Sequence, residues 1–229
     1  MAKALLGKHV GALELRKQGW SYPQIKRELQ VSKSSLSLWL RDYPLTGEQL
    51  QKLSSENRDR RIERFRETFL HKRQDRLDRV YAQESLTLLP LSGKEFYLAG
   101  LMLYWGEGLK ATTDTVAFSN TNPAMILFAI RWFVVSCGMS REKLRIRLHL
   151  YSDMDVELEQ SYWSRMLTIP RSQFRKPYIK KSLRSSITEK GGFGHGTCDL
   201  IAHNTTLKER IMMGIKVVAD IYPRDSVRI

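Results

Sequence analysis

The 229-residue chain is poor in the residues that stabilise small secreted proteins and in the apolar runs that span membranes. Its two cysteines, Cys137 and Cys198, are too few for a disulfide framework, and their spacing fits no zinc knuckle. No apolar run near Met1 is long enough for a signal peptide, and none elsewhere is long enough to cross a bilayer. We therefore expect a cytoplasmic protein in which both cysteines are thiols of the core.

The chain is also short of acidic residues. Asp and Glu number 24 against 38 Lys and Arg, so the net charge is +14 at pH 7. Such an excess of cations suits a polyanionic partner, because lysine and arginine side chains release the counterions that surround phosphates. We expect nucleic acid rather than an anionic membrane surface as the partner, and no small-molecule cofactor. The hydrophobic content of 42% is enough for a packed core.

The first 45 residues have the pattern of a helix-turn-helix domain. One helix should end at Gly19, a second should begin at Ser21, and Ser32 should cap a third. The third helix has small polar and basic residues on its outer face, a composition that can contact bases and phosphates in a major groove. These residues are Lys33, Ser34, Ser35, Ser37 and Arg41. The stretch 19–42 resembles the helix-turn-helix of resolvases and many bacterial regulators, which implies duplex-DNA binding; a three-helix bundle for protein contact is the alternative.

Residues 46–90 form a strongly charged segment without internal glycine or proline after Gly47. Apolar residues recur in it at helical spacing, for example Ile62, Phe65 and Phe69. This pattern predicts one or two amphipathic helices that link two domains. The mixed charges are most simply a solvated face with ion pairs one turn apart, and a coiled-coil or DNA-tracking role is the alternative.

The stretch 92–108 reads SGKEFYLAGLMLYWGEG and organises the second domain. Ser92 and Glu95 form a capping-box pattern that starts a helix, and Gly106 and Gly108 end it. Between these signals the helix is apolar all round, so it has to be covered on more than one side. It is too short to span a bilayer and therefore belongs in a core or an interface.

Leu98-Ala99-Gly100-Leu101 followed by Gly106-Glu107-Gly108 resembles the LAGLIDADG motif of homing endonucleases. In that family an apolar helix packs against its counterpart and ends in an acidic residue that binds a divalent metal. The resemblance implies a Mg²⁺-dependent DNA endonuclease in which Glu107 is the metal ligand. It also implies that two copies of the chain form a homodimer through this helix. The residues expected in that interface are Leu98, Gly100, Leu101, Met102 and Trp105.

The chemistry of Glu107 leaves two interpretations open. A carboxylate at the negative end of a helix dipole is stabilised when a cation is bound beside it. That cation can be Mg²⁺, which prefers carboxylate, water and phosphate oxygens. It can instead be Lys110, in which case Glu107 is structural. Lys110 is also a candidate catalytic residue, because its charge can stabilise the phosphate in the transition state.

Leu144 to Tyr151 has the clearest strand pattern in the chain, with alternating apolar and polar residues. Its polar face carries Arg145, Arg147 and His149, which can line a DNA-binding saddle or, alternatively, bond neighbouring carboxylates. A basic run with interleaved apolar residues follows Pro170 and can lie along phosphates. Its DNA-binding candidates are Arg175, Lys176, Lys180, Lys181 and Arg184.

Weaker signals complete the second domain. A short hairpin is expected within 109–120, and Asn122-Pro123 should start a helix. Asp153 should cap a helix that the LAGLIDADG pattern lacks. A last strand should cover 197–203, and Thr206 should open the final helix. This order approximates the α-β-β-α-β-β-α unit of the family.

Together these patterns predict an α+β protein. It should have a small all-α helix-turn-helix domain over 1–45, a charged helical linker over 46–90, and a LAGLIDADG-like domain with a saddle-shaped antiparallel sheet over 91–229. The predicted function is sequence-specific binding of duplex DNA with Mg²⁺-dependent cleavage. A transcriptional regulator that keeps this fold without catalysis is the alternative.

Overall fold

The computed structural model describes residues 2–53, 57–183 and 194–221. Within these residues the chain is α+β, as predicted, and it divides into two compact units, Met1–Leu89 and Pro90–Ile229. We call them unit 1 and unit 2. No described helix is both long and apolar enough to cross a membrane.

Unit 1 is helical wherever its regular structure is described. Its helices are α1 (Ala2–Lys17), α2 (Tyr22–Leu29), α3 (Lys33–Trp39), α4 (Gly47–Lys52) and α5 (Asn57–Leu88). Gly19, with φ of 91°, turns the chain after α1 in a conformation that glycine adopts readily. Ser21 caps α2 in a reciprocal box with Gln24, and Ser32 caps α3 by accepting a hydrogen bond from Ser35 N at 3.0 Å. The predicted helix starts are therefore confirmed.

Helix α5 is more than the predicted linker, because residues near its start pack against α1 and α2. Glu63 is only 3% exposed and accepts hydrogen bonds from Arg16 Nη2 and from the backbone N of Tyr22, both at 2.9 Å. One turn later, the Arg66 guanidinium lies 3.7 Å from the centre of the Tyr22 ring. The expectation that these charges form a solvated face is wrong for Glu63. A buried carboxylate needs a cation and donors, and α1 and α2 supply them.

Unit 2 contains four long helices and four strands among its described residues. They are α6 (Gly93–Glu107), β1 (Thr115–Asn120), α7 (Pro123–Val135), β2 (Arg145–Tyr151), α8 (Val156–Leu167), β3 (Tyr178–Lys180), β4 (Thr197–His203) and α9 (Thr205–Ile221). The strand order in the sheet is β1-β4-β2-β3. The central strand β4 pairs antiparallel with β1 and with β2.

The sheet is mixed and not antiparallel throughout, which corrects the predicted saddle. Strand β3 runs parallel to β2, with His149 opposite Tyr178 and Tyr151 opposite Lys180. The cause is helix α8, which lies between β2 and β3 in the chain. A crossover of this length returns the chain to the end of the sheet at which β2 begins, so β3 runs in the same direction as β2.

One face of the sheet packs against the helices of unit 2. Strand residues such as Phe118, Ile146, Leu148 and Leu200 are at most 1% exposed and belong to the same core cluster as buried residues of α6, α7, α8 and α9. Because side chains alternate along a strand, the residues between them lie on the other face. We call it the open face; it includes Ser119, Arg147, His149, Tyr178 and Asp199.

The predicted hairpin forms only in part. Strand β1 is its second arm, but the first arm is a single antiparallel bridge between Gly108 and Phe118. The long partner of β1 is instead β4, from Thr115 opposite His203 to Asn120 opposite Cys198. Val116, Ala117 and Phe118 are buried in succession, as expected of a strand that is covered on both faces.

Two predicted caps in unit 2 are each displaced by two residues. Asp155, and not Asp153, caps α8 by accepting from the backbone N of Glu157 at 2.8 Å. Asn204, and not Thr206, opens α9 by accepting from Leu207 N at 2.9 Å. The segments before α8 and α9 each contain two side chains that can cap a helix. The preceding turn decides which of the two becomes the cap.

Candidate nucleic-acid interface

The open face of the sheet is built around one buried carboxylate. Asp199 on β4 lies opposite Arg147 on β2, and its side chain is 8% exposed. His149 Nε2 and Ser119 Oγ each donate to Asp199 at 2.7 Å, and Arg147 donates from Nε and Nη2 at 3.4 and 3.3 Å. Three side chains from two flanking strands are thus held by one acid on the central strand.

The predicted alternative for the strand arginines is therefore true of Arg147, which does bond a carboxylate. Arg147 is nevertheless 45% exposed. Arg145 is tied to the backbone instead, since its Nη1 donates to the carbonyls of Glu142 and Leu144 at 2.6 and 2.9 Å. Both arginines are held in place while they remain at the surface of the open face.

Other polar groups extend the open face on both sides. The Tyr178 ring lies 5.4 Å from the His149 ring, and Lys180 Nζ lies 4.7 Å from the centre of the Tyr151 ring. Arg175 Nη2 donates to His203 Nε2 at 2.9 Å. The His203 proton must then lie on Nδ1, which is 3.0 Å from a threonine hydroxyl on β1.

The charge on this face is one-sided. At the strand positions that the structure describes there, Asp199 is the single carboxylate, and it is already bonded to three side chains. Five of the predicted DNA-binding candidates lie on or beside this face: Arg145, Arg147, His149, Arg175 and Lys180. Lys176 and Lys181 are exposed nearby in the chain, and Arg184 lies outside the described residues.

Sequence reasoning missed several residues of this interface. Ser119, Tyr178, Asp199 and His203 take part in its hydrogen bonds or ring contacts. The available signal was the alternation of β4, in which Asp199 and His203 fall on the same side of a strand whose other side is apolar. That alternation does not indicate which strands lie beside β4.

In unit 1, the predicted DNA-contacting residues lie on or just after α3. Lys33, Ser34 and Arg41 are exposed. Ser35 Oγ is 2.8 Å from the Ser32 cap, and Ser37 Oγ accepts from Arg66 Nη2 at 3.0 Å. The outer surface of α3 therefore carries polar and basic side chains, as the sequence predicts, together with Leu38, which is 68% exposed.

The end of α6 is held by two lysines. Lys110 Nζ donates to the carbonyls of Gly108 at 3.0 Å and Gly106 at 3.5 Å, so it bonds the helix end itself. Lys208, 2% exposed, donates to Tyr104 Oη at 3.0 Å and to the carbonyl of Leu109. Burial lowers the pKa of the Lys208 ammonium, and the charge of Lys110 lowers it further. Burial also raises the pKa of Tyr104 to about 12.

Glu107 is exposed at the last residue of α6, beside this lysine pair. Among the described residues, no three His, Cys, Asp or Glu side chains cluster in a way that could hold a metal ion. Mg²⁺ is usually bound through one or two carboxylates, and waters and phosphate oxygens complete its octahedral shell. Glu107 supplies one carboxylate of that kind, and no chemical step is assigned to the ion.

Two residues of the predicted dimer interface lie in the chain's own core. A Cβ added to Gly100 would lie 2.1 Å from the Trp132 ring, and Leu101 is 1% exposed. Gly100 faces Trp132 of α7 and Leu101 faces Gly214 of α9, so both lie within the chain's own packing, and the dimer interface itself stays a prediction. Leu98, Met102 and Trp105 are instead 36%, 37% and 41% exposed, at a spacing that puts them on one side of the helix.

Comparison with known proteins does not bear on this arrangement of residues. No protein family, curated protein or solved structure matches the chain. The two basic surfaces, one on α3 and one on the sheet, are therefore the observations that bear on function.

Proposed function

We propose that this chain binds duplex DNA, through the outer surface of α3 and through the open face of the sheet. The observation that carries the proposal is the charge of the open face, where arginines, a lysine and histidines lie on or beside a face whose one described carboxylate is already bonded. A two-stranded or larger sheet surface can lie in a DNA groove, with cations placed against phosphates or guanine.

Asp199 gives this surface order before any partner is present. It fixes Arg147 and His149 in one arrangement, which lowers the entropic cost of ordering them on binding. The Nε and Nη2 groups of Arg147 serve Asp199, so Nη1 is the donor that we assign to a phosphate or a base edge. The ring of Tyr178 beside His149 offers an apolar surface to a sugar.

Mg²⁺-dependent DNA cleavage is a second candidate function, favoured by one observation. Glu107 is exposed at the end of a helix that also exposes Leu98, Met102 and Trp105. An apolar stripe of this kind suits a symmetric contact with a second copy, and a homodimer would bring two Glu107 carboxylates close together, as in the LAGLIDADG resemblance. A regulator that binds DNA without cutting it is the alternative.

The test is binding and cleavage of a randomised duplex-DNA library with Mg²⁺. Arg147→Ala should weaken binding about tenfold or more and lower the salt slope by about 1. The matched control is Arg165→Ala, which removes the same charge from the exposed surface of α8 and should change neither quantity. Duplex binding that is absent in the wild type, or unaffected by Arg147→Ala, overturns the proposal.

Cleavage is then compared between the wild type and Glu107→Gln. Cutting that is lost in Glu107→Gln while binding persists establishes the endonuclease. Binding without cutting in both proteins leaves the regulator.

A further inference from the structure

A groove of about 1040 Å³ lies within unit 1, between α3 and α5. Its α3 wall includes Ser34 and Ser37, which belong to the surface that we assign to DNA. Its α5 wall includes Phe65 and Phe69, and both walls carry cationic and apolar side chains. The DNA-facing surface of α3 therefore continues into a second helix.

The groove exposes large apolar side chains that a solvated helix would not need. Leu38, Phe65 and Phe69 are 68%, 71% and 61% exposed. Phe65 and Phe69 lie one turn apart on α5, so they form a continuous patch facing Leu38 across the groove. Exposed aromatic residues in a contiguous patch mark a binding surface more often than scattered ones do.

The charged side chains that line the groove are all positive, and one of them, Arg41, is paired with Asp42 at 3.6 Å. The described residues that line it include five cations and no Asp or Glu: Lys33, Arg41, Arg61, Arg66 and Arg73. An occupant must therefore offer anions together with apolar surface. A sugar–phosphate strand does so, because its phosphates alternate with deoxyribose rings.

We infer that α5 is a second DNA-contacting helix, and that the groove holds one sugar–phosphate strand of the duplex whose major groove receives α3. This inference rests on the proposed function. The arginines of α5 contact phosphates, and the two phenylalanines contact deoxyribose. The strand that borders a major groove runs beside the helix inserted there, which is where α5 lies relative to α3.

The hydrogen bond between Arg66 and Ser37 fits this assignment. A guanidinium can only donate, so Ser37 Oγ accepts at 3.0 Å and keeps its own proton for a phosphate oxygen. Arg66 is itself held against the Tyr22 ring. Arg66 therefore positions Ser37, and it is left unchanged in the test because its loss would disturb the packing of unit 1.

The test compares two double variants of the full chain on a duplex of mixed sequence. Arg61→Ala/Arg73→Ala removes two exposed arginines that line the groove. Arg64→Ala/Arg76→Ala removes two exposed arginines three residues further along the same helix, outside the groove, with the same loss of charge. The groove pair should lower affinity about tenfold or more and reduce the salt slope by about 2. The control pair should leave both nearly unchanged.

Each other outcome has a distinct meaning. Equal losses in the two pairs mean that net charge alone matters and overturn the inference, as does no loss in either pair. A wild type that does not bind duplex DNA overturns the proposed function and the inference together. Sedimentation of Phe65→Ala/Phe69→Ala provides a further check: self-association lost with DNA binding intact identifies a second copy as the occupant and overturns the inference. The inference is also overturned if an acidic amphipathic peptide binds tightly and duplex DNA does not displace it.

Discussion

The two units each bury one carboxylate bonded to an arginine, but they use it differently. In unit 1, Glu63 binds Arg16 where both side chains are almost fully buried, and the pair joins α5 to the other helices. In unit 2, Asp199 lies just beneath the open face, and its partner Arg147 stays 45% exposed. The same pair of groups thus stabilises a fold in one unit and arranges a surface in the other.

The size of the apolar core explains this difference. Unit 1 has a small cluster around Ile25, Leu36 and Leu40, so a buried polar contact has to hold its long helix in place. Unit 2 has an extensive core beneath its sheet. Unit 2 can therefore place a buried acid directly beneath an exposed face of its sheet. There the acid orders surface side chains instead of joining one helix to another.

The largest effect is expected from Glu63→Ala. This change leaves Arg16 buried without its carboxylate and should lower the free energy of unfolding of unit 1 by about 3–5 kcal/mol. Urea denaturation with peptide-level hydrogen exchange measures it in the full chain. Glu84→Ala, on an exposed position of the same helix, is the control and should change stability by less than about 0.5 kcal/mol. Equal effects of the two variants would contradict the buried pair.

The next effect concerns the packing of unit 2. Gly100→Ala places a methyl group against the Trp132 ring and should destabilise unit 2 by about 2–3 kcal/mol, because the ring is fully buried and cannot move freely. Gly106→Ala, near the end of the same helix, meets no atom within 4 Å and should be neutral or slightly stabilising. A Gly100→Ala variant of unchanged stability would show that Trp132 does not cover this position, and that face of α6 would then be available for the predicted dimer interface.

An alkaline titration compares the buried tyrosines of the two units. Burial raises the pKa of Tyr104 to about 12 from 10.0. Burial also raises the pKa of Tyr22, but the guanidinium groups of Arg66 and Arg16 oppose this shift. Between pH 10 and 12 the unfolded chain loses the Tyr104 proton and the folded chain keeps it, so the free energy of unfolding falls as pH rises, by about 2 kcal/mol.

Tyr104→Phe should abolish most of this alkaline fall in the free energy of unfolding. Tyr22→Phe should abolish a smaller part of it. Urea midpoints across the alkaline range give both values. An alkaline fall that is the same in Tyr104→Phe as in the wild type would show that this hydroxyl is not the group responsible.

The smallest change in stability is expected from Asp199→Ala. Its partners on the open face can turn to water, so the loss should be about 1–2 kcal/mol. DNA affinity should nevertheless fall about tenfold, since Arg147 and His149 lose their fixed arrangement. Glu209→Ala, on an exposed residue of α9, is the control for the loss of one negative charge. Tighter DNA binding by Asp199→Ala would mean that the acid only repels phosphates.

Local signals allowed much of the fold to be predicted. The caps at Ser21, Ser32 and Ser92 are confirmed because a capping side chain bonds backbone groups within its own turn. The strand over 197–203 is confirmed for a similar reason, since apolar alternation is a short-range pattern.

The contacts that were missed depend on residues far apart in the chain. The burial of Glu63 depends on Arg16, and the role of Gly100 depends on Trp132. The open face shows both cases: its basic residues were predicted from one strand, whereas Asp199 acquires its role only when β4 enters between β1 and β2. Neither charge nor periodicity specifies which distant residue lies opposite.

The position of β4 in the sheet also sets an order of events during synthesis. Strands β1 and β2 are not neighbours, and they are joined only through β4, the last of the described strands to leave the ribosome. Thr115 pairs with His203, so the sheet cannot close until nearly the whole of unit 2 has emerged, whereas the short-range helices of unit 1 can fold first. A nascent chain stalled before residue 197 should therefore carry folded helices α1 to α3 and a strand β1 that lacks its long partner.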